Sequence, residues 1–482
     1  MINKNIIFSF VGFLLVIEGI FMALSISFSL YYGDDDVLAL LITGISTSLL
    51  GLILFFISKS KNTEIKKREG YVIVSIVWIV TSLFGALPFV IHGSIPSYTD
   101  AFFETMSGFT TTGASILNNI EELPHGLLFW RSITQWLGGM GMIVLSLAIL
   151  PILGIGGMQL FVAEVPGPTK DKLHPRVRET AMRLWGIYFL LTLVEIGLLY
   201  VGGMNFFDAV CHSFTTMATG GFSTKQASVA YYQSPFIQYV IIVFMFLAGV
   251  NFTLHYHVLH GRFNNLKKNE EFKFYFSITV FWTVVIAVLL FFANYGSAEK
   301  SFRDSLFQVV SMITTTGFIT ADYEVWGTLI VMFFLLFLFI GGCAGSTGGG
   351  IKIVRHLLLL KNSLLELRRL IHPRAIIPVR YNSHSVSGEI ISNIQAFFLF
   401  YIFIFIVGSL IMAILGMDLL SAIGAVATSL GNVGPAIGSV GPTDNFANVP
   451  ELGKWILSLL MLMGRLELFT ILVIFSPAFW KS

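Results

Sequence analysis

The chain has 482 residues, of which 55% are hydrophobic and 12% are charged. The charged fraction is about half of the roughly 25% usual in soluble domains, so there are too few polar side chains to cover a water-soluble fold of this length. This composition excludes soluble globular, disordered and nucleic-acid-binding proteins, and a net charge of +2 gives no sign of a polyanionic partner. The two cysteines, Cys211 and Cys343, predict neither a disulfide framework nor a thiolate metal site.

Ten apolar runs have the length of membrane-spanning helices, which need about 20 residues each. They lie near 5–30, 37–58, 70–92, 127–154, 183–203, 234–259, 272–295, 325–341, 391–416 and 452–478. The first run is too long for a signal peptide and another apolar run follows it directly, so we expect an uncleaved helix. The sequence therefore predicts an all-α polytopic protein embedded in a lipid bilayer.

Lysine and arginine are concentrated in alternate connections between these runs. Of the 29 basic residues, 23 lie in the segments 59–68, 170–183, 262–273 and 352–380 or near the two termini. The positive-inside rule assigns this side to the cytoplasm. We therefore expect both termini to be cytoplasmic, as an even number of spans requires.

Acidic residues collect in connections on the opposite side. Asp34, Asp35 and Asp36 form one turn, and Glu121 and Glu122 follow in the next connection. These carboxylates form either an ordinary solvated loop, which we favour, or a mouth that concentrates cations.

A short pattern occurs four times, each time between two predicted spans. An Asp, or a Ser in the last copy, is followed thirteen residues later by a Gly: Asp100 to Gly113, Asp208 to Gly221, Asp304 to Gly317 and Ser421 to Gly434. The sequence therefore predicts four pseudo-symmetric membrane–pore-loop–membrane repeats around one pore. Their expected boundaries are 70–182, 183–271, 272–385 and 386–482, after two N-terminal transmembrane helices in 1–69.

The chemistry of this unit points to an ion path. Asp and Ser are good N-caps, so Asp100, Asp208, Asp304 and Ser421 are expected to begin short helices that dip into the membrane. The C-terminal end of such a helix carries the negative pole of its dipole. Non-helical backbone at that depth must be buried in protein or line a water-filled path, and Gly lets successive carbonyls face one axis. Four such loops make a ring of oxygens that can replace the water shell of a cation.

With these motifs the sequence resembles the superfamily of K⁺ transporters that comprises TrkH, KtrB and the plant HKT proteins, over the whole chain. Members have four such repeats with one glycine per filter loop, and the two extra N-terminal spans are more similar to TrkH of bacterial Trk potassium uptake systems than to KtrB. The resemblance implies K⁺ as the transported and bound ion, with no other cofactor. The implied filter residues are Thr111, Thr112, Gly113, Thr219, Gly220, Gly221, Thr315, Thr316, Gly317, Asn432, Val433 and Gly434.

Two details of the filter refine this expectation. In the family, a serine at the first filter position is associated with Na⁺ permeation, and Gly113 at this position therefore implies K⁺ selectivity. The fourth repeat departs from the others, because Asn432 and Val433 replace threonines and Pro435 follows. We therefore expect a pore without strict fourfold symmetry.

A segment with six glycines in ten positions interrupts the apolar run that follows the third filter loop. Gly costs up to about 1 kcal/mol per helix position relative to Ala, so regular helix is not expected there. We expect a movable gate below the filter, and the alternative is a glycine seam that packs two helices closely. The expected gate residues are Gly341, Gly342, Gly345, Ser346, Thr347, Gly348, Gly349 and Gly350.

Several polar residues inside apolar runs need an explanation. Arg465 is expected to act as an electrostatic barrier in the pore or as part of the gate, and the alternative is an ion pair with another helix. Glu467 is two positions away, on a different helix face. Glu195 is expected to hydrogen-bond between helices. The residues at equivalent positions in three short helices, Glu104, His212 and Gln308, are expected to brace the filter from behind rather than bind ions.

Three classes of function remain open. The first is a channel-like K⁺ permease in the bacterial plasma (inner) membrane, and the second is a K⁺ carrier coupled to H⁺ or Na⁺ symport. The third is a membrane enzyme with a metal at His255, His257 and His260, for which we favour interfacial packing because no acidic residue accompanies them. We find no nucleophile–base arrangement and expect no enzyme.

The resemblance also implies partners. It predicts a homodimer bound to a cytosolic nucleotide-binding ring of the TrkA type, and no nucleic acid. The basic segments 352–380 and 155–183 are candidate docking surfaces, or they face anionic lipid headgroups instead.

Overall fold

The computed structural model describes residues 3–58, 67–144 and 173–480, apart from 373 and 376. Two N-terminal helices, α1 (Lys4–Tyr32) and α2 (Val37–Ile57), form an antiparallel hairpin. They approach closely through glycines, because an added Cβ at Gly12 would lie 2.5 Å from the carbonyl oxygen of Gly51. Small residues of this kind are typical of helix contacts inside membranes.

Four helical units follow this hairpin, and each contains a short helix between longer ones. The first consists of α3 (Lys67–Gly85), α4 (Leu87–His92), α5 (Tyr98–Phe109) and α6 (His125–Val144). The second consists of α7 (Leu173–Val201), α8 (Phe206–Met217), α9 (Pro235–Ala248) and α10 (Phe252–Leu259), and α11 (Phe263–Lys268) connects it to the third.

The other two units repeat the arrangement. The third consists of α12 (Glu270–Phe292), α13 (Ala298–Ile313), α14 (Thr328–Phe337) and α15 (Ile353–Ile371), and a two-residue hairpin of β1 (Arg380–Tyr381) and β2 (His384–Ser385) follows it. The fourth consists of α16 (Gly388–Ile414), α17 (Leu419–Gly431), α18 (Glu451–Arg465), α19 (Phe469–Phe475) and α20 (Pro477–Trp480).

The predicted spans coincide with helices. Within the described residues, six helices are long and apolar enough to cross a membrane, or up to eight if each of two bent pairs is one span. The other two predicted spans correspond to α6 and α14. The end of the fourth predicted span, beyond Val144, and most of the basic connections 59–68 and 155–183 lie outside the described residues.

The spans at 234–259 and 452–478 were each expected to be one continuous helix, but in the structure both are broken. The chain bends by 104° between α9 and α10, where the Asn251 side chain caps α10 by accepting a 2.8 Å hydrogen bond from the backbone N–H of Thr253. It bends by 117° between α18 and α19, where Glu467 and Leu468 have φ values of 57° and 42°. Left-handed backbone of this kind cannot continue a right-handed helix.

The four short helices α5, α8, α13 and α17 begin earlier than predicted. Their N-caps are Ser97, Asn205, Ser297 and Asp418, and each cap side chain accepts a hydrogen bond from the backbone N–H three residues later. The predicted caps therefore stand inside the helices, with Asp304 well into the 16-residue α13. A carboxylate within the first turn is favourable for the same reason as a cap, because it faces the positive end of the helix dipole.

Burial separates the short helices from the surrounding long ones. Residues Ala101 to Phe109 of α5 are all buried, and α8, α13 and α17 are buried similarly. By contrast, the long helices α2, α12 and α16 expose large apolar side chains such as Ile57, Phe292 and Ile414. Exposed apolar surface on this scale fits a lipid environment, and the short helices are held within a ring of long ones.

Candidate ion-conduction site

The loops that follow the four short helices share one backbone geometry. The first residue of each loop has left-handed φ, namely Thr111 (51°), Thr219 (53°), Thr315 (59°) and Asn432 (53°). Two residues later a glycine is again left-handed, namely Gly113 (82°), Gly221 (75°), Gly317 (79°) and Gly434 (101°). We call these four segments, 111–113, 219–221, 315–317 and 432–434, the Thr/Gly loops.

A recurring pair of hydrogen bonds ends each short helix. In the first unit, Thr112 donates its backbone N–H to the carbonyl of Ser107 at 2.8 Å, and Thr111 donates to Gly108 at 2.9 Å. Equivalent bonds are present in the other three units. This is the Schellman pattern, which usually places Gly at the left-handed position. Thr at that position costs about 1–2 kcal/mol because its Cβ approaches the following carbonyl oxygen, and such strain persists where the surrounding structure enforces it.

The four Thr/Gly loops form a closed ring. At the left-handed glycine of each loop, an added Cβ atom would meet a carbonyl oxygen of the next loop. The glycine–carbonyl pairs are Gly113 with Gly220, Gly221 with Thr316, Gly317 with Val433, and Gly434 with Thr112. The contacts run from the first loop to the fourth and back to the first, so backbone from all four units encloses one axis. The structure thus brings all twelve sequence-predicted filter residues together.

Side chains of the short helices hold the backbone just beyond these loops, as expected. The Glu104 carboxylate accepts hydrogen bonds from the Ser115 hydroxyl and the Ile116 N–H, both at 2.9 Å. His212 contacts the Ser223 hydroxyl at 2.9 Å, and Gln308 donates to the carbonyl of Ala321 at 3.0 Å. Glu195 of α7 lies buried beside Thr216 of α8, but within the described residues neither of its carboxylate oxygens has a hydrogen-bond partner, so the expected bond between helices is not seen.

Two ion pairs that sequence reasoning missed, one buried and one partly exposed, lie behind the ring. Arg131 of α6 pairs with Glu104 at 2.7 Å and donates to the carbonyl of Ser223 at 2.9 Å. Lys454 of α18 pairs with Asp100 of α5 at 2.5 Å, and so links the fourth unit to the first. The available signal was a charged residue within or at the edge of an apolar run, since such residues usually face the protein interior.

The prediction that the glycine-rich segment does not form regular helix is confirmed. Helix α14 ends at Phe337 and α15 begins at Ile353. Between them the chain closes on itself, because Gly341 donates its N–H to the carbonyl of Ile351 at 2.9 Å and Ile353 donates to Gly342 at 3.1 Å. The intervening residues therefore form a compact loop.

This glycine-rich loop lies against the inner ends of the short helices. The Thr347 hydroxyl donates to the carbonyls of Met217 at 3.0 Å and Ala248 at 3.2 Å. Gly349 donates its N–H to the Thr315 hydroxyl at 2.6 Å. A Cβ added at Gly349 would lie 2.7 Å from the carbonyl oxygen of Gly431. The loop thus touches the second, third and fourth units at the base of the ring.

Arg465 also contacts the glycine-rich loop at the base of the ring. Its side chain is 1% exposed and donates to the carbonyl of Thr347 at 2.8 Å and to the carbonyl of Gly138, in the first unit, at 3.1 Å. The alternative of an ion pair is not seen, because no carboxylate in the described part of the chain pairs with Arg465. Glu467 instead pairs with Arg355 at the start of α15. Arg465 stands at the end of α18 rather than in mid-helix, because the span bends there.

The acidic turn between α1 and α2 does not form a free cation mouth. Asp34 accepts a 2.7 Å hydrogen bond from the N–H of His125, and Asp36 accepts one of 2.9 Å from Leu127, so both hold the first turn of α6. His92 contacts Asp35 at 3.0 Å, and its hydrogen bond and charge lower the pKa of that carboxyl. The turn therefore holds the N-terminal hairpin and the first unit together. It is not the ordinary solvated loop that we favoured, because Asp36 is buried and Asp35 alone of the three carboxylates is largely exposed.

The histidines considered as metal ligands bond to backbone instead. His255 contacts the carbonyl of Leu247 at 2.9 Å, and His260 contacts the carbonyl of Tyr256 at 2.8 Å. These bonds fit the interpretation of interfacial packing at the end of a membrane helix.

Four helical units whose re-entrant helices end in one ring of strained loops define a class of protein: polytopic membrane proteins with a single path formed by four pore-loop repeats. The comparisons with known proteins agree. Residues 38–482 match the TrkH family model, described as cation transport protein, and the chain belongs to this family.

Named relatives match over nearly the whole chain. It is 44% identical to the Trk system potassium uptake protein TrkH of Salmonella typhimurium and 43% identical to that of Escherichia coli K12, in each case with 98% of both chains covered. The crystal structure of the potassium transporter TrkH from Vibrio parahaemolyticus superposes with a TM-score of 0.92 at 38% identity, and covers 100% of both chains.

Proposed function

We propose that this protein takes up K⁺ across the bacterial plasma (inner) membrane through a channel-like pore. The closed ring of Thr/Gly loops is the observation that carries the proposal, because backbone oxygens held rigidly around one axis can replace the hydration shell of a cation. Relatives at 43–44% identity are named potassium uptake proteins. The twelve predicted filter residues then form the K⁺ binding sites, and K⁺ is cargo rather than a cofactor.

The glycine-rich loop and Arg465 form the proposed gate. The loop residues Gly341 to Gly350 lie under the ring, and Arg465 holds Thr347 through its backbone carbonyl. A buried guanidinium below the ring opposes a passing cation, since the two like charges repel at low effective dielectric. In this proposal the path opens when the loop moves away from the ends of the short helices.

Coupling to H⁺ or Na⁺ symport is the alternative that one observation favours. Glu18 and Glu195 are buried carboxylates at the level of membrane helices, with exposures of 2% and 0%. Ionisable groups in such positions are frequent in proton relays. If K⁺ currents reverse at the K⁺ equilibrium potential at every pH tested, H⁺ coupling is excluded.

The orientation, repeat boundaries and assembly are also proposals. Both termini are placed in the cytoplasm on the distribution of basic residues, and the four repeats keep the boundaries given above. A homodimer with a cytosolic nucleotide-binding ring of the TrkA type is proposed from the family resemblance. Helix α15 supports a docking role, because it ends with the basic residues Arg368 and Arg369 and exposes Leu364 and Leu367.

The proposal is tested by ⁸⁶Rb⁺ flux into liposomes that contain the purified full-length protein. Wild-type uptake should be inhibited by K⁺ far more strongly than by Na⁺. In Gly113→Ser the preference should fall, because the new side chain meets the carbonyl of Gly220 and disturbs the ring. Equal inhibition by Na⁺ and K⁺ in the wild type would contradict K⁺ selectivity.

A further inference from the structure

The second Thr/Gly loop is held differently from the first and third. In the first, the hydroxyls of Thr110 and Thr112 are 2.8 Å apart, and in the third the hydroxyls of Thr314 and Thr316 are also 2.8 Å apart. The corresponding residues of the second loop are Ala218 and Gly220, which have no hydroxyl. Some other group must restrain the backbone there, because the loop has the same strained geometry as the others.

That group is the Gln135 side chain, which comes from another unit. Its amide nitrogen donates to the carbonyl of Gly220 at 2.7 Å, and its amide oxygen accepts from the N–H of Phe222 at 3.0 Å. The two bonds bracket Gly221, the left-handed glycine of the loop. Gln135 lies on α6 of the first unit and is 0% exposed, so neither bond competes with water.

Gln135 also fills the space that a threonine side chain would need. A Cβ added at Gly220 would collide with the amide group of Gln135. Gly220 does not have a left-handed φ, so its own backbone conformation accepts a side chain. Gly220 and Gln135 are therefore complementary in size. The Gln135 amide holds the second loop, as the pair of threonine hydroxyls holds the first and third loops.

The bond to Gly220 acts on the ring itself. The carbonyl of Gly220 is the one that lies against Gly113 of the first loop. Among the described residues, no side chain donates to the equivalent carbonyls of Thr112, Thr316 or Val433. One turn before Gln135 on α6, Arg131 donates to Ser223 and lies 3.5 Å over the ring of Phe222, so the same helix face holds the loop at further points.

We propose that Gln135 is a positioning residue for ion selectivity, which sets the second filter loop from the first repeat through a two-point amide contact. This inference rests on the proposed function, since it assigns a determinant of selectivity to the same ring. Loss of the amide frees the Gly220 carbonyl to rotate, and the oxygen spacing that distinguishes K⁺ from Na⁺ is lost with it.

The first test is Gln135→Met, which keeps the side-chain length and removes both hydrogen bonds. In ⁸⁶Rb⁺ flux by the full-length protein in liposomes, the ratio of K⁺ to Na⁺ inhibition should fall about five- to tenfold, the scale set by one or two lost buried hydrogen bonds. Uptake of Rb⁺ itself should persist. Gln238→Met is the matched control, because Gln238 donates to the carbonyl of Tyr232 at 2.9 Å, outside the Thr/Gly loops.

The second test uses the space that the Gln135 side chain shares with any side chain placed at residue 220. Gly220→Thr alone should abolish uptake because its side chain collides with Gln135. The double variant Gly220→Thr with Gln135→Ala should recover Rb⁺ uptake but not the K⁺ preference, because the collision is relieved and the amide is gone. Unchanged selectivity in Gln135→Met, or a double variant with the K⁺ preference of the wild type, would overturn the inference. Misfolding of both Gln135→Met and the double variant beside a folded Gln238→Met would also overturn it, as it would make Gln135 a packing residue. A wild type without K⁺ preference would contradict the proposed function instead.

Discussion

Threonines in left-handed conformation are the most unusual residues of the molecule. Thr111, Thr219 and Thr315 are β-branched and stand where a helix end normally has Gly. The Thr315 hydroxyl compensates part of the strain by accepting the N–H of Gly349. Two residues later each loop has a Gly, because the next loop contacts the chain there and no larger side chain fits. At this scale the ring depends on small differences in side-chain size.

Gly221→Ala should abolish most transport. The residue has φ of 75°, and its new methyl group would collide with the carbonyl of Thr316 in the next loop. Gly203→Ala separates backbone strain from the collision between loops. Gly203 also has left-handed φ, 96°, but nothing lies within 4 Å of its added Cβ. Both variants should lose about 1 kcal/mol of stability from backbone strain.

The measurement is ⁸⁶Rb⁺ flux alongside thermal unfolding of the purified protein. Flux should fall at least tenfold in Gly221→Ala and stay near wild type in Gly203→Ala. Similar flux in the two variants would mean that contact between the loops is not required for transport.

At the scale of elements, the described residues show a break in the second long helix of the second, third and fourth units. The breaks lie between α9 and α10, between α14 and α15, and between α18 and α19. They meet at the glycine-rich loop, where Cys343 donates its N–H to Gly249 at 2.8 Å and Gly345 accepts from Phe252 at 3.0 Å. Broken helices in a membrane are stable because their free backbone groups find partners in neighbouring units.

Gly349→Ala should raise basal ion flux through the proposed gate. Its methyl group would stand 2.7 Å from both the carbonyl oxygen of Gly431 and the Cβ of Asn432, so the loop must move away from the base of the ring. Gly197→Ala, in α7 with nothing within 4 Å of the added Cβ, is the control for glycine replacement. Single-channel or liposome flux measurements without regulatory subunits would show the change, and unaltered flux in Gly349→Ala would count against a gate at this loop.

At the scale of the whole molecule, the first and fourth units must meet for the ring to close. Lys454 pairs with Asp100 across this junction, and Asn432 donates to the Thr112 hydroxyl at 2.9 Å. The N–H of Phe446 donates to the carbonyl of Ser115 at 2.8 Å. These contacts join residues more than 300 positions apart, so the closed ring forms only when the chain is complete.

Lys454→Met should destabilise the protein by about 1.5–3 kcal/mol, the usual contribution of a hydrogen bond to a charged group. Asp100 loses its partner, but its side chain is 26% exposed and keeps part of its hydration. The pair of Arg303 and Glu299 is the comparison: Arg303→Met leaves a carboxylate that is 53% exposed, so the loss should be less than about 1 kcal/mol. Thermal unfolding in detergent would measure both, and equal shifts in melting temperature would show that the pair does not hold the junction.

Much of this architecture follows from sequence alone. Apolar run length predicts the spans because a bilayer has a defined thickness, and the thirteen-residue spacing predicts the four loops and their glycines. The glycine-rich break follows from helix propensity. The predicted N-caps lie three or more residues too late. For Asp100 and Asp208 the reason is that an Asp inside the first turn and a capping side chain gain stability from the same dipole and leave the same local signal.

The tertiary structure decided which distant residues are in contact. Sequence alone determined the class of protein, the number of repeats and the loops that matter, since these depend on local composition and spacing. It did not determine the ring contact between Gly113 and Gly220, the contact of Gln135 with the second loop, or the backbone partners of Arg465. Those contacts join residues about 85 to 330 positions apart, and only packing of four units around one axis selects such partners.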